Sequence, residues 1–366
     1  MASLLKDLYS PAFYKQLTNA LLVVLPSFNS QRFTSQIFTE DFRDKELKGR
    51  MRHTSQVLHV FMPSDYKKTI RIIEKLIQHL KKNGIGEDGL PYMFLPDYIE
   101  VYGLDDFDSS VKAIETITRF VSCEFAVRPF LIKYGDKMMD QLLAWSKHEN
   151  HKVRRLASEG SRPRLPWAIA IPALKKDPGP ILPILENLKN DPSEWVRRSV
   201  ANNLNDIAKD HPSLIIGLAK KWKGMSKETD TIIKHGSRTL LKKGHVEILS
   251  HYGLKSKNIH ITAFKIITPY VKIGDQLVFS FRVSNQDRKK QTVRLEYGLY
   301  YRKSNNQLTR KVFKISEKIY EPGVWVDVNR KQSFKKITTR VFYPGKHRLS
   351  IIVNGIEKVL KSFEVR

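Results

Sequence analysis

The chain of 366 residues is 41% hydrophobic and 28% charged, a globular composition with room for two domains. It has no run near the roughly 18 apolar residues of a membrane span and one cysteine, Cys123, which exclude a spanning helix and an internal disulfide, and the lack of a cationic segment before an apolar run at its start argues against a secretory signal. A formal net charge of +27 points to a polyanionic partner, and the lone cysteine to a cytoplasmic protein.

From Met1 to about Tyr252 the apolar residues follow helical spacing. Ile70, Ile73, Leu76, Ile77 and Leu80 form one stripe, followed by Lys81, Lys82 and an Asn83-Gly84 stop. Gly84 to Asp108, punctuated by glycine and proline, reads as a connection, and helical spacing resumes at Ser110. A weak repeat follows. Val127-Arg128, Val153-Arg154-Arg155, Val196-Arg197-Arg198 and Ile233-Lys234-His235 each read as opening a helix after a polar turn, 26, 43 and 37 residues apart. Such spacing belongs to helix-pair solenoids. In HEAT-like repeats this position starts the second helix, so recurring basic residues there would line a cationic trough. A single Val-Arg-Arg is also an ordinary start to any exposed helix.

Past residue 255 the period changes. HITAFKI, QLVFSFRVSN, TVRLEYGLYYRK, RKVFKISEKIY, QSFKKITTRVF and HRLSIIVNG alternate and are β-branched or aromatic, with turns at Ile273-Gly274-Asp275, Pro322-Gly323, Pro344-Gly345 and Asn354-Gly355. About seven short strands predict an immunoglobulin-like sandwich held by packing alone. The expected fold is mostly α: a HEAT-like helical-repeat solenoid over residues 1–254, then a small all-β immunoglobulin-like sandwich over 255–366.

Charge is graded in the same direction, +1 over residues 1–150, +9 over 151–254 and +17 over 255–366. A polyanion meeting the C-terminal two-thirds explains that gradient through counterion release; a merely basic surface is the plain alternative. An anionic membrane is a weaker one, since no basic amphipathic helix or lipidation motif stands out.

The densest chemistry lies in SCEFAVRPF, residues 122–130, and RRLASEGSRPRLPW, residues 154–167. Each sets one carboxylate, Glu124 or Glu159, beside a basic helix start. Equivalent helices in adjacent repeats would bring the two together in the trough. An acid inside a phosphate-binding cleft repels the ligand, a cost that catalysis of a cation-forming reaction would offset. Each glutamate could equally be an ion-pair partner of its arginines.

EFAVRPF and ASEGSRPRLPW resemble signature segments of the AlkC branch of DNA alkylation-repair glycosylases, relatives of the AlkD group built from HEAT-like repeats, and the helical-then-β plan extends the resemblance over essentially the whole chain. The resemblance implies hydrolysis of the N-glycosidic bond of cationic N-alkylated bases such as 3-methyladenine, without insertion of the base into a closed pocket. It also implies a C-terminal sandwich that reaches the DNA. Glu159 is then the leading catalytic carboxylate, with Glu124 orienting water or stabilising charge. Trp167 would meet the damaged nucleotide through its face, helped by Arg162; otherwise it is a packing residue. Arg128, Lys152, Arg154, Arg155, Arg164, Arg197, Arg198, Lys234 and Arg238 are the expected contacts to duplex DNA, positioning rather than specifying.

No lysine has a Schiff-base setting, so an abasic site rather than a nick is the expected product, from a monomer that needs no metal or cofactor. The histidines lack ligand spacing, the glycines make no nucleotide-binding loop, and Cys123 reads as a small buried thiol. Basic residues near turns of the β region (Arg288-Lys289-Lys290, Arg302-Lys303, Arg330-Lys331) are candidates for groove contact or plain solvated charges. Two rival readings stay open. A non-catalytic architectural DNA-binding protein would share the charge gradient, and a HEAT scaffold would bind acidic protein partners.

Overall fold

A computed structural model describes residues 4–86, 89–337 and 340–366. Among them sixteen α-helices precede eight β-strands. The helices are α1 (Pro11–Val24), α2 (Ser30–Ile37), α3 (Leu47–Phe61), α4 (Tyr66–Lys82), α5 (Phe94–Tyr102), α6 (Phe107–Thr118), α7 (Val127–Tyr134), α8 (Asp136–Trp145), α9 (His151–Gly160), α10 (Pro172–Lys176), α11 (Leu182–Leu188), α12 (Glu194–Ile207), α13 (Pro212–Trp222), α14 (Lys227–Gly236), α15 (Arg238–Lys243) and α16 (Val246–His251). The chain divides into two compact units, Met1–Asp210 with Gly224–Gly236, and His211–Lys223 with Ser237–Arg366. α13, α15 and α16 therefore belong with the strands. None of the described helices is long and apolar enough to cross a membrane.

Local sequence explains most of the first unit. Asp65 caps α4 by accepting from the Lys68 N–H, and Ile70, Ile73, Leu76, Ile77 and Leu80 are all buried on its inner face. Two expectations are corrected. The segment 84–108 contains α5, with Phe94, Leu95, Tyr98 and Ile99 buried. Pro96 sits in its first turn, where the missing N–H has no intrahelical acceptor to lose, so proline is no breaker there. The helix before Gly236 starts at Lys227, not at Ile233, so Ile233-Lys234-His235 closes α14. Polar KETDT at its start hid that beginning. Val127, Val153 and Val196 do lie in the first turns of α7, α9 and α12. α12 packs between α9 and α14, and this row builds the site below.

In the second unit the strands are β1 (Ile259–Ile266), β2 (Tyr270–Val271), β3 (Gln276–Asn285), β4 (Gln291–Arg302), β5 (Leu308–Tyr320), β6 (Trp325–Ser333), β7 (Gly345–Val353) and β8 (Ile356–Val365). They form a sandwich from one sheet ordered β1-β3-β6 and a second ordered β2-β8-β7-β4-β5. Alternate residues of β3 (Leu277, Phe279, Phe281, Val283) meet those of β4 (Val293, Leu295, Tyr297, Leu299) and β7 (Leu349, Ile351, Val353) in one core. The expected strand at 332–342 is corrected: β6 ends at Ser333, and beyond it lies only an isolated bridge between Ile337 and Arg340. Thr338 and Thr339 lie outside the described residues. β6 and β8 are additions whose lysines and arginines masked the alternation; β8 follows the Asn354-Gly355 turn directly.

Both residues of that turn have positive φ, 46° and 77°, as a two-residue type I′ hairpin demands. A Cβ on Gly355 would also stand 2.7 Å from the Gly244 Cα. Gly355→Ala is therefore expected to cost about 2–3 kcal/mol from strain plus backbone overlap. Gly323→Ala, at a φ of 71° but with open space, should cost only about 1 kcal/mol. Urea midpoints of the two variants would check the difference.

Candidate active site

The site is built on the C-terminal turn of α9. Asn150 caps the start of that helix, and its apolar residues Val153, Leu156 and Ala157 are buried, which turns Ser158, Glu159 and Gly160 inward as well. Gly160 allows the close approach: a Cβ there would lie 2.5 Å from Val127 Cγ2 of α7. Glu159 is only 5% exposed, and a lone carboxylate at that depth would be severely destabilising. It is matched on both oxygens. Arg162 Nη1 donates to Oε1 at 2.6 Å, and Ser199 Oγ donates to Oε2 at 2.6 Å.

α12 supplies the rest from a polar stripe at i, i+4, i+7. Ser199 holds Glu159, Asn203 Nδ2 donates to the Ser158 carbonyl at 2.8 Å, and Asp206 Oδ2 accepts from Arg162 Nε at 2.9 Å. Burial alone would lower the pKa of Arg162, but the Glu159 and Asp206 carboxylates outweigh it and raise that pKa above the ordinary arginine value.

The second carboxylate comes from the turn before α7. Glu124 Oε2 accepts from Ser122 Oγ and from Arg155 Nη1, both at 2.8 Å. Its Oε1 has no hydrogen-bond partner among the described residues. Arg155 Nη2 also lies 3.9 Å from Glu159 Oε1, so one guanidinium bridges the two glutamates. Its outer face packs 4.5 Å from the centroid of the Trp195 ring.

Glu124, Glu159 and Arg162 line one cavity of about 320 Å³ with Phe125, Leu165, Pro166, Trp167, Lys48 and a largely apolar wall from the N-terminal helices. That volume lies at the low end of the roughly 300–1,000 Å³ typical of small-molecule sites. Trp167 stands at its edge 67% exposed, with φ at 64°. A left-handed backbone costs a non-glycine residue about 1–2 kcal/mol, and a large aromatic held there in solvent is no core residue. Two carboxylates fixed by guanidinium groups in an apolar surround, beside an exposed indole, can stabilise a cation and hold a water.

A family model described as the C-terminal Ig-like domain of the uncharacterised protein YhaZ matches residues 260–366, and a HEAT-repeat model matches residues 181–211. The chain is 44% identical over 363 residues to protein YhaZ of Bacillus subtilis (strain 168), covering 99% of each. It also matches the structure of the Pseudomonas fluorescens alkylpurine DNA glycosylase AlkC bound to DNA containing an abasic site analogue, with a TM-score of 0.92, 33% identity and full coverage of both chains. The chain belongs to the AlkC family.

Within this AlkC-family chain the expected cations part ways. Arg128 is corrected: it is 0% exposed and donates to the carbonyls of Ile169 (2.6 Å), Gly160 (3.1 Å) and Arg162 (2.8 Å), leaving no surface for a phosphate. Burial first, then the nearby Arg162 charge, pulls its pKa down to about 10. Lys152 is buried too, its Nζ 5.9 Å from the Trp195 ring centroid. Arg155 faces the glutamates rather than open solvent. Arg154 forks onto Asp191 (2.6 and 3.1 Å) and exposed Arg164 onto Asp210 (3.0 and 2.7 Å). Arg197 donates to two carbonyls of the turn before α12, and exposed Arg198 lines a second cleft between α12 and α14 with Arg197, Lys227 and His235. Lys234 lies in the last turn of α14, and Arg238 opens α15 in the other unit.

Sequence reasoning missed Ser199, Asp206, Trp195 and Lys48. The α12 stripe Ser199-Asn203-Asp206 was the legible signal, being polar at helical spacing on a helix whose other face is apolar. Trp195 and Lys48 carried none. Burial also pushes the Cys123 thiol well above its usual pKa, as befits an inert core residue.

Arg162 separates two buried acids, so Arg162→Met should destabilise the first unit by about 3 kcal/mol. Arg164→Met removes an exposed pair and should cost at most about 1 kcal/mol. Denaturant midpoints followed by helical circular dichroism would distinguish them.

Proposed function

We propose that this chain is a monofunctional DNA glycosylase that hydrolyses the N-glycosidic bond of cationic alkylated purines, 3-methyladenine above all, in duplex DNA. The observation that carries the reading is the pairing of two fixed carboxylates, one with an uncommitted oxygen, in an apolar cavity of an AlkC-family chain. On the same reading it works as a monomer in the cytoplasm, bound to the nucleoid.

The chemistry follows from charge. An N3-alkylated purine carries a formal positive charge, so when the bond to the sugar C1′ breaks, its electron pair leaves with the base and neutralises it. Positive charge then develops on the sugar, as an oxocarbenium ion. Glu159, with both oxygens already hydrogen-bonded, is suited to act as a fixed negative charge that stabilises this ion without reorganising. Glu124 Oε1 is suited to accept a hydrogen bond from the attacking water. As water oxygen bonds C1′, its proton passes to Glu124 and then to solvent. The exposed face of Trp167 attracts the cationic base, and a neutral base loses both that attraction and the weakened bond.

Lys48 lines the cavity, but its amine donates to the Trp167 carbonyl and lies 5.0 Å from the Phe125 ring centroid. It is not placed as a free nucleophile, and the product is an intact strand with an abasic site. The surface cations, Arg198 among them, are the proposed phosphate contacts, and steep weakening of duplex binding with salt is expected of them.

Base release from methylated duplex DNA tests this directly. Glu159→Gln and Glu159→Ala are each expected to lower release at least about 100-fold, and Glu124→Gln about 10-fold or more, with duplex affinity kept within a few-fold. Borohydride should trap no protein–DNA adduct. Tight, salt-sensitive duplex binding by the wild-type chain with no release of any alkylated base would point instead to an architectural protein.

A further inference from the structure

We propose that Arg128 and Lys48 are positioning residues for Trp167: one clamps the loop that carries the indole and the other holds its own carbonyl. The inference rests on the reading above, in which that indole meets the damaged nucleotide.

Arg128 donates to three carbonyls bracketing the loop, those of Gly160 and Arg162 where the chain leaves α9, and of Ile169 just past Trp167. A guanidinium is a planar fork with fixed donor directions, so these bonds set the distance between the loop's two ends. Arg128 also belongs to the segment that supplies Glu124, four residues earlier, and to the buried surface against which Gly160 closes. The clamp thus joins Glu124, Arg162 and the Trp167 loop into one body.

Lys48 reaches the same place from α3. Its Nζ donates to the Trp167 carbonyl and sits over the Phe125 ring. It anchors the peptide that a φ of 64° strains. Released from that anchor, the backbone is free to relax to negative φ, which swings the indole away from the cavity edge. Lys48 is exposed, so the competing role is a direct phosphate contact, and the two roles predict different things.

A double-mutant cycle separates them. Lys48→Met is expected to lower kcat/KM for base release about tenfold through misplacement of the indole, but less than about twofold in a Trp167→Ala background. The slope of log affinity against log salt should not change. With 5-fluorotryptophan incorporated, the ¹⁹F resonance assigned to Trp167 by its loss in Trp167→Phe should shift and broaden in Lys48→Met free of DNA. An equal loss in the Trp167→Ala background, a salt slope smaller by about one, or an unmoved ¹⁹F resonance would overturn the role of Lys48.

Arg128→Lys keeps the charge and loses the fork. It is expected to broaden the same resonance and to lower kcat/KM by more than Lys48→Met. A folded Arg128→Lys protein with wild-type release and an unmoved resonance would overturn the clamp; should this variant not fold, Arg128→Gln at lower temperature gives the same two readouts. Absence of base release from the wild-type chain would sink the glycosylase reading instead, while the ¹⁹F arm still decides whether the two basic residues hold Trp167.

Discussion

A carboxylate buried at the end of α9 is the constraint that organises the helical unit. Glu159 is stable at 5% exposure because Arg162 and Ser199 meet its two oxygens. Arg162 in turn needs Asp206 to balance it, and Asp206 also pairs with Lys209 at 2.9 Å. Each buried charge calls for another, and the chain ends only where a side chain reaches water. The polar stripe of α12, the missing Cβ at Gly160 and the short turn at 161–169 follow from keeping that sequence of pairs intact.

The same logic explains why a strongly basic segment offers fewer cations to an anion than its composition promises. Arg128, Lys152 and Arg155 lie in helix starts that look alike in sequence, yet each faces inward in its own way: toward carbonyls, toward an indole, toward two carboxylates. Arg198 shares its motif with Arg197 and is exposed. A helix start places neighbouring residues about 100° apart, so adjacent arginines cannot share a fate. The trough of repeated arginines is therefore in part an ion-paired interior, whose charge is matched to neighbouring carboxylates instead of being offered to DNA.

Backbone at positive φ occurs at the loop where chemistry is proposed and, among the other described non-glycine residues, at Ala263, Asn306 and Asn354 of the β region. Trp167 and the Asn354-Gly355 turn both lie at positive φ, but for different reasons. The turn is a regular solution to reversing a twisted strand pair, and asparagine with glycine adopts it readily. Tryptophan has no such preference, so its conformation is imposed by the groups bound to its flanks, and the exposed indole is the result.

The sequence by itself determined the class of each half, because hydrophobic period needs only neighbours along the chain: 3.6 residues in α4, two in β3 and β7. It also grouped Glu124, Glu159, Arg162 and Trp167 in one expected site, since the two segments that carry them are distinctive as strings, and the four residues line one cavity. α5 stayed hidden because Pro96 is a breaker everywhere except in a first turn, and β6 because its Lys and Arg residues face solvent at an edge of the sheet. Only the tertiary structure decided which cations meet carboxylates, which oxygen of Glu124 stays uncommitted, and that Lys48, more than a hundred residues away, holds Trp167. Those outcomes depend on distances between helices, and a distance between helices is fixed by packing volumes and buried charge summed over the whole unit, which no local spacing encodes.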